Sequence, residues 1–340
     1  MKEKVRIGIV GCGVQTQLLY LPILKKNKFA EVVAICDTDV RKLDYLASRY
    51  NIKKHCTGFE TLQSDEEIDA LILATPNYLH VPMALGALEY DKHVLVETPM
   101  AITAEEAETV NELANKKKKI LLPALIQRLR TDVQTIKNFI DGNELGSIYY
   151  SKAGWLRGRT EWTVSGWWAE RLRAGGGAFL SLGSQILDIA FCLLGPIKVL
   201  SIVGTGYKKN ERSQVEDGAF ALLRLEKNQT LTIEVGYSIL QERDFTYFNI
   251  FGHNGAALLN PVQISKEMHG HLVNVTPSLS GGQKDYQRAA YQLLIDLFVD
   301  AVSKETKLPI SGKDGLAISQ VTEAFYKSYA SQKEVVIKSS

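Results

Sequence analysis

The chain has 340 residues, with 40 basic and 38 acidic side chains and a formal net charge of +2. Apolar types make up 45% and charged types 23% of the residues, as in ordinary globular proteins, which excludes a disordered chain, a collagen and a small disulfide scaffold. The near-neutral charge gives no electrostatic reason to expect nucleic acid or an anionic membrane as a partner.

Strand and helix patterns alternate over the first 120 residues. Short apolar runs predict strands at 5–10, 31–36, 70–74, 93–97 and 120–122. Helices are predicted at about 15–26 and 40–50, with Asp37 or Asp39 able to cap the second one. Strands that are apolar on both faces and alternate with helices predict a parallel sheet covered on both sides, which is a doubly wound α/β domain.

A glycine turn follows the first predicted strand and opens the first helix. It begins Gly11-Cys12-Gly13, with Thr16 at the third glycine position, and Asp37 ends the next strand. This arrangement is typical of a dinucleotide site, where backbone amides hold the pyrophosphate and the acid binds the ribose hydroxyls. Because a carboxylate repels a 2′-phosphate, the sequence predicts NAD, and Arg41 leaves NADP as the alternative. The predicted contacts here are Gly11, Gly13, Val14, Gln15 and Asp37.

Two further loops follow the third and fourth predicted strands. Ligands of open α/β sheets bind outside the carboxyl ends of the strands, so both loops are predicted to face the cofactor. The candidate contacts are Thr75, Pro76, Asn77, His80 and Glu97. For His80, a capping or packing contact at the start of a helix is the alternative interpretation.

The pattern changes after residue 124. Runs with a period of two predict strands at 148–155, 199–206, 219–225, 230–238 and 245–251, and helices are predicted at 132–141, 178–195, 285–302 and 313–329. The sequence therefore predicts a dinucleotide-binding domain at 1–124 and a second α/β domain at 125–340. Whether the closing helix packs on the first domain stays open.

All four tryptophans fall within fourteen residues, interleaved with or followed by arginines. Indole faces stack on sugar rings or planar groups, and guanidinium groups bind carboxylates, phosphates or hydroxyls. The same residue types are enriched in subunit contacts, which is the alternative interpretation. The predicted substrate residues are Trp155, Arg157, Trp162, Trp167, Trp168 and Arg171, together with Gln185.

These motifs together resemble the Gfo/Idh/MocA family of nicotinamide-dependent oxidoreductases. The matching segments are Gly11-Cys12-Gly13, Asp37, Thr75-Pro76-Asn77 with His80, Glu97 with Pro99, Gly175-Gly176-Gly177, Leu187-Asp188 and the segment from Pro309 to Leu316. The resemblance implies an N-terminal Rossmann domain and a C-terminal α/β domain with a large, mostly antiparallel open sheet that often forms the subunit interface. It also implies hydride transfer on a sugar, a polyol or a related small molecule.

The chain departs from the family pattern at the positions of the usual catalytic residues. Thr98 occupies the lysine position, Ser181 and Gln185 occupy the aspartate and histidine positions, and Asp188 is retained. Threonine, serine and glutamine side chains do not exchange protons near neutral pH, so an atypical proton-transfer site is predicted. The candidate catalytic residues are Thr98, Gln185, Asp188 and His80, and the other candidate acids or bases are Tyr20, Tyr78 and Tyr237.

Two other functions remain open. A branch of the family similar to biliverdin reductase lacks the lysine and reduces a conjugated substrate. A chain that binds nucleotide without turnover would serve as a sensor or as the partner of an active relative.

The remaining predictions concern partners and location. The cysteines include no C-x-x-C pair, and His253, His269 and His271 lack the spacing of a metal site, so no metal is predicted. We expect a cytoplasmic protein that acts on a small molecule, without nucleic acid or membrane, and that forms a homo-oligomer through the C-terminal sheet.

Overall fold

The computed structural model describes residues 4–158, 166–195 and 198–337. It divides the chain into two compact units, Met1–Ile126 with Arg288–Ala317, and Gln127–Gln287 with Ile318–Ser340. Trp162 lies outside the described residues.

The first unit is built on a parallel sheet of six strands. These are β1 (Val5–Val10), β2 (Ala30–Cys36), β3 (Lys54–Cys56), β4 (Ala70–Leu73), β5 (His93–Val96) and β6 (Leu121–Pro123), in the order β3-β2-β1-β4-β5-β6. β4 is buried along its whole length, as expected for a strand with helices on both faces. The predicted Rossmann architecture is confirmed.

Helices follow the strands of this sheet. Residues 14–24 are helical, with a π-helical segment at Thr16–Tyr20 before α1 (Leu21–Leu24). They are followed by α2 (Val40–Tyr50), α3 (Phe59–Gln63), α4 (His80–Glu89) and α5 (Ala104–Lys117). Asp39, and not Asp37, caps α2 by accepting from the Lys42 amide. Thr103 and Glu106 form a capping box at the start of α5.

The second unit contains a mostly antiparallel sheet of nine strands, as the resemblance implies. Its strands are β7 (Ile148–Gly158), β8 (Val199–Tyr207), β9 (Gly218–Leu225), β10 (Gln229–Ile239), β11 (Phe245–Gly252), β12 (Gly255–Leu259), β13 (Gln263–Met268), β14 (His271–Asn274) and β15 (Val335–Val336). Their order is β14-β13-β12-β11-β7-β10-β9-β8-β15, and the β7–β10 pair is parallel.

The helices of the second half are α6 (Thr131–Asp141), α7 (Arg171–Ala174), α8 (Ser184–Leu194), α9 (Gln283–Lys304) and α10 (Gly312–Ser331). A π-helical segment at Phe179–Gly183 leads directly into α8. From residue 288, α9 belongs to the first unit, and from residue 318, α10 belongs to the second.

The segment Arg171–Leu194 has the length and mean hydropathy of a membrane span, but 72% of its apolar window is buried inside the structure. A buried core helix explains this composition.

Candidate functional site

The glycine turn after β1 leaves no room for a side chain at its first position. Gly11 has φ +92°, and a Cβ there would lie 2.3 Å from the Ala74 carbonyl oxygen. A Cβ on Gly13, by contrast, would meet no atom of the described ranges within 4 Å. Thr16, at the third glycine position, is buried and donates from Oγ1 to the Gly11 carbonyl at 2.6 Å. The turn is therefore tightly packed at Gly11, and its backbone is open at Gly13.

Asp37, at the end of β2, is fixed to this turn. Its Oδ2 accepts from the Cys12 amide at 2.7 Å, and its Oδ1 accepts from the Asp39 amide at 2.9 Å. The Lys42 ammonium lies 3.2 Å from Oδ1. The carboxylate keeps 12% of its side chain exposed, so it stays accessible to a ribose hydroxyl.

His80 joins the two loops that follow β4 and β5. Its Nε2 lies 2.8 Å from the Thr75 carbonyl and its Nδ1 lies 2.8 Å from the Pro99 carbonyl. The imidazole is buried, and burial lowers the pKa of His80. These contacts agree with the alternative interpretation, in which His80 packs at the start of a helix. Asn77 is buried in the same loop, and no residue that the structure describes forms a hydrogen bond with the buried Thr75 Oγ1.

Glu97, at the end of β5, is a buried carboxylate held by two tyrosines. Oε1 accepts from the Tyr20 hydroxyl at 2.8 Å and from the Tyr291 hydroxyl at 3.2 Å, and Oε2 accepts from the Thr98 amide at 3.3 Å. Burial raises the pKa of Glu97 and that of Tyr20. Thr98 itself is half-buried. Tyr291 was not predicted, because only the fold brings α9 to this strand end.

These strand ends fit a dinucleotide. The tight turn at Gly11 and the open backbone at Gly13 can bind a pyrophosphate through backbone amides. The Asp37 carboxylate can accept hydrogen bonds from a ribose. The unpartnered Thr75 hydroxyl adds a polar group at the neighbouring strand end. Of the residues predicted from sequence, those of the first unit lie at the ends of β1, β2, β4 and β5, which are adjacent strands. The bound cofactor would supply the hydride chemistry.

In the second unit, Gln185 belongs to a chain of oriented hydrogen bonds. Arg130 pairs with Asp132 at 2.5 Å and donates to Gln127 Oε1 at 2.9 Å. Gln127 donates from Nε2 to Gln185 Oε1 at 2.7 Å, and Gln185 donates from Nε2 to the Ser181 carbonyl at 3.3 Å. Because a guanidinium only donates, it fixes the orientation of both amides. Gln127, Arg130 and Asp132 were not among the predicted site residues, and no local motif marks them.

Asp188 is buried and paired with Arg128. Its Oδ1 accepts from Arg128 Nε, and its Oδ2 accepts from the Arg128 amide at 3.1 Å. A buried carboxylate with these partners holds a backbone segment in place. The predicted catalytic role of Asp188 stays a prediction.

The glycine run before α8 is tightly packed. A Cβ on Gly176 would lie 2.0 Å from the Tyr326 hydroxyl, and a Cβ on Gly177 would lie 2.0 Å from the Glu216 carbonyl. The buried Glu216 carboxylate accepts from the Gly177 and Phe179 amides and from the Tyr326 hydroxyl. Burial raises the pKa of Glu216. The carboxylate satisfies amides at the start of a helical segment, a role that the sequence alone did not reveal.

The three tryptophans that the structure describes occupy two places. Trp155 lies on β7, and its buried Nε1 has no hydrogen-bond partner among the described residues. Trp167 and Trp168 stack with ring centroids 4.1 Å apart, just before α7. Arg157 lies 3.6 Å from the Asp244 carboxylate, and Arg171 is exposed.

The other candidate acids and bases are not alike in exposure. Tyr20 and Tyr237 are buried, and burial raises the pKa of Tyr237 despite a hydrogen bond with Ser181. Tyr78 is 37% exposed. Within the described ranges, no three His, Cys, Asp or Glu side chains are grouped as metal ligands.

Comparison with known proteins identifies the family. Residues 5–125 match the model of the Gfo/Idh/MocA oxidoreductase family, NAD-binding Rossmann fold, and residues 137–337 match the C-terminal alpha/beta domain of the same family. The chain therefore belongs to the Gfo/Idh/MocA oxidoreductase family and carries its NAD-binding domain.

Several characterised relatives are similar over most of their length. The D-glucoside 3-dehydrogenase of Escherichia coli is 24% identical over 340 residues, which is 95% of each chain. The scyllo-inositol 2-dehydrogenase (NADP(+)) of Bacillus subtilis is 24% identical over 365 residues, covering 99% of this chain and 97% of the other.

Solved structures share the fold. A levoglucosan dehydrogenase, solved in complex with NADH and levoglucosan, has a TM-score of 0.88 and 19% identity, covering 99% of this chain and 100% of that one. An oxidoreductase domain protein from Kribbella flavida has a TM-score of 0.90 and 18% identity, with coverage of 99% and 100%.

Proposed function

We propose that this member of the family catalyses NAD-linked hydride transfer on a sugar, a polyol or a related small molecule. The observation that carries the proposal is the glycine turn fixed to the Asp37 carboxylate at 2.7 Å. The named activities of relatives, on a glucoside and on an inositol, support the substrate class.

NAD is the proposed cofactor in preference to NADP. A carboxylate at the end of β2, where the adenosine ribose would lie, opposes a 2′-phosphate by charge repulsion. The exposed Arg41, on the first turn of α2, leaves NADP as the competing choice.

The proposed proton-transfer site is atypical. Thr98, Ser181 and Gln185 replace titratable groups, and the amide of Gln185 is oriented by Gln127. We assign Gln185 the binding of a substrate oxygen and not the exchange of its proton, because an amide does not titrate near neutral pH. The tryptophan and arginine side chains at 155, 157, 167, 168 and 171 are the proposed substrate contacts.

We also propose a homo-oligomer formed through the second sheet. Val203, Phe220 and Leu222, here called the sheet-face patch, share one face and are 44%, 46% and 40% exposed. Lys152 and Glu234 lie on the same face, so two copies related by a twofold axis can pair opposite charges. A cytoplasmic location is the matching proposal, supported by four free cysteines.

The test combines binding and turnover. NADH and NADPH are each titrated by fluorescence and by thermal shift, since a ligand of the folded state raises the melting temperature. NAD⁺ reduction is then followed by the absorbance of the NADH that forms, with glucosides, levoglucosan, inositols and uronates as substrates. We expect tighter binding of NADH than of NADPH and turnover of at least one polyol.

The other results of these titrations and assays separate the proposed function from its two alternatives. Absence of binding with either dinucleotide contradicts the proposal. Binding of NADH without turnover across the panel favours the sensor, and reduction of a conjugated substrate alone favours the lysine-independent reductase.

A further inference from the structure

The carboxylate of Glu97 stands out because it is buried and hydrogen-bonded, while no residue in the described part of the chain forms an ion pair with it. It is 8% exposed and accepts from two hydroxyls and one amide. The rings of Tyr20 and Tyr291 meet edge to face, with their centroids 5.7 Å apart. Three donors directed at two oxygens favour the ionised carboxylate, while burial opposes it.

Among the residues that the structure describes, no cation pairs with this carboxylate. Its hydrogen-bond partners are the hydroxyls of Tyr20 and Tyr291 and the Thr98 amide. Thr98 is the residue that stands at the family's lysine position, and its side chain is uncharged. A buried negative charge without a counter-charge is costly, so any cation that approaches it gains free energy.

The position of Glu97 in the sheet identifies that cation. A dinucleotide lies across the carboxyl ends of a doubly wound sheet, with its two halves on either side of the central strand. Asp37 follows β2, on one side of β1, and Glu97 follows β5, on the other. If Asp37 takes the adenosine half, Glu97 belongs to the nicotinamide half. The oxidised nicotinamide ring carries a positive charge, and the reduced ring is neutral.

We propose that the Tyr20–Glu97–Tyr291 cluster selects the redox state of the cofactor, so that the protein binds NAD⁺ in preference to NADH. The proposal rests on the assigned cofactor and is independent of the substrate. One charge acting over several ångströms at an effective dielectric constant of about 20 gives a preference of at least roughly tenfold. For a two-electron couple, tenfold corresponds to a shift of about 30 mV in the potential of the bound cofactor.

Dissociation constants of the full-length protein test the proposal without any substrate. NADH is titrated by its own fluorescence, and NAD⁺ by competition against NADH. Glu97→Gln removes the charge and keeps the size, and we expect it to weaken NAD⁺ binding about tenfold while NADH binding changes less than about twofold. Asp37→Asn is the matched control on the other half of the site, and it is expected to weaken both forms by similar factors.

A second variant covers the case in which Glu97→Gln does not fold. Thr98→Lys introduces a cation at the half-buried position that follows the intact carboxylate in the chain, and we expect it to reduce the preference for NAD⁺ as well. An unchanged ratio of the two dissociation constants in the folded variants overturns this inference alone. A wild-type protein that binds neither dinucleotide overturns both this inference and the proposed function.

Discussion

At the scale of single residues, two neighbouring glycines differ in what they permit. The positive φ of Gly11 and its approach to the Ala74 carbonyl make any side chain costly there, whereas Gly13 borders open space. We expect Gly11→Ala to lower the free energy of unfolding by at least about 2 kcal/mol. Thermal and urea unfolding measure this loss.

Gly13→Ala is the matched variant. Its methyl group would meet no described residue within 4 Å, so the free energy of unfolding is expected to change by less than about 0.5 kcal/mol. The same methyl group covers backbone that a pyrophosphate approaches, so NADH affinity is expected to fall about tenfold. Equal effects of the two substitutions on stability would contradict the assigned roles.

The chain of amides that ends at Gln185 makes a separate prediction. Gln127→Glu keeps an acceptor for Arg130 but turns a carboxylate oxygen toward Gln185 Oε1. The Gln185 amide then has to reverse and presents the opposite hydrogen-bonding pattern to a substrate. We expect kcat/KM for the substrate to fall at least about tenfold, while the dissociation constant of NADH changes less than about twofold. A lower melting temperature with unchanged kcat/KM would reduce Gln127 to a purely structural residue.

At the scale of elements, buried strands could be predicted from the sequence and exposed edge strands could not. β4 lies inside the first sheet, and its continuous apolar run revealed it. β3 was missed because it is a sheet edge of three residues, two of them exposed. β14 is an exposed edge and has no apolar alternation to detect.

The site was predictable to the extent that its chemistry is local. Gly11 and Asp37 could be proposed from the sequence because the turn and the strand end adjoin recognisable elements. Tyr291 and Glu216 were not, because their partners Glu97 and Gly177 lie 194 and 39 residues away in the chain. Only the folded sheet and its covering helices bring such pairs together.

The pairing of β5 with β6 contains a pH-sensitive contact. His93 Nδ1 accepts from the Ile120 amide at 3.1 Å, which requires the neutral ring. Burial, aided by the charge of Lys119, lowers the pKa of His93 to about 4. The unfolded chain, with a pKa near 6.5, takes up the proton first as pH falls. The free energy of unfolding should therefore decrease between pH 6.5 and 4, by about 2 to 3 kcal/mol.

His93→Asn isolates this effect. The amide oxygen of asparagine can accept from the Ile120 amide in place of Nδ1 but does not titrate. Urea unfolding from pH 7 to 4 should show a shallower loss of stability in the variant than in the wild type. Parallel pH profiles would show that His93 does not contribute.

At the scale of the whole molecule, the nine-stranded sheet has one buried face and one face with exposed apolar side chains. In β9, the residues between Ala219 and Leu225 alternate between buried and exposed, and Phe220 and Leu222 belong to the exposed set. The buried face is covered within the same unit, where Phe179 and Phe325 stack 3.7 Å apart and the Ser328 hydroxyl accepts from the Gly204 amide. Three large apolar side chains exposed together on the other face indicate a contact surface.

Replacing the sheet-face patch tests whether a second copy covers it. Phe220→Glu places a charge at the centre of the patch, opposite Thr205 and beside Glu234 on the adjoining strand. Because the interface is self-complementary, each substitution acts twice per dimer, and we expect the dissociation constant to rise at least about a hundredfold. Sedimentation velocity over a concentration series measures it, with Leu272→Glu on the edge strand β14, 77% exposed in the wild type, as the control. If both variants sediment as the wild type does, the patch is not the subunit interface.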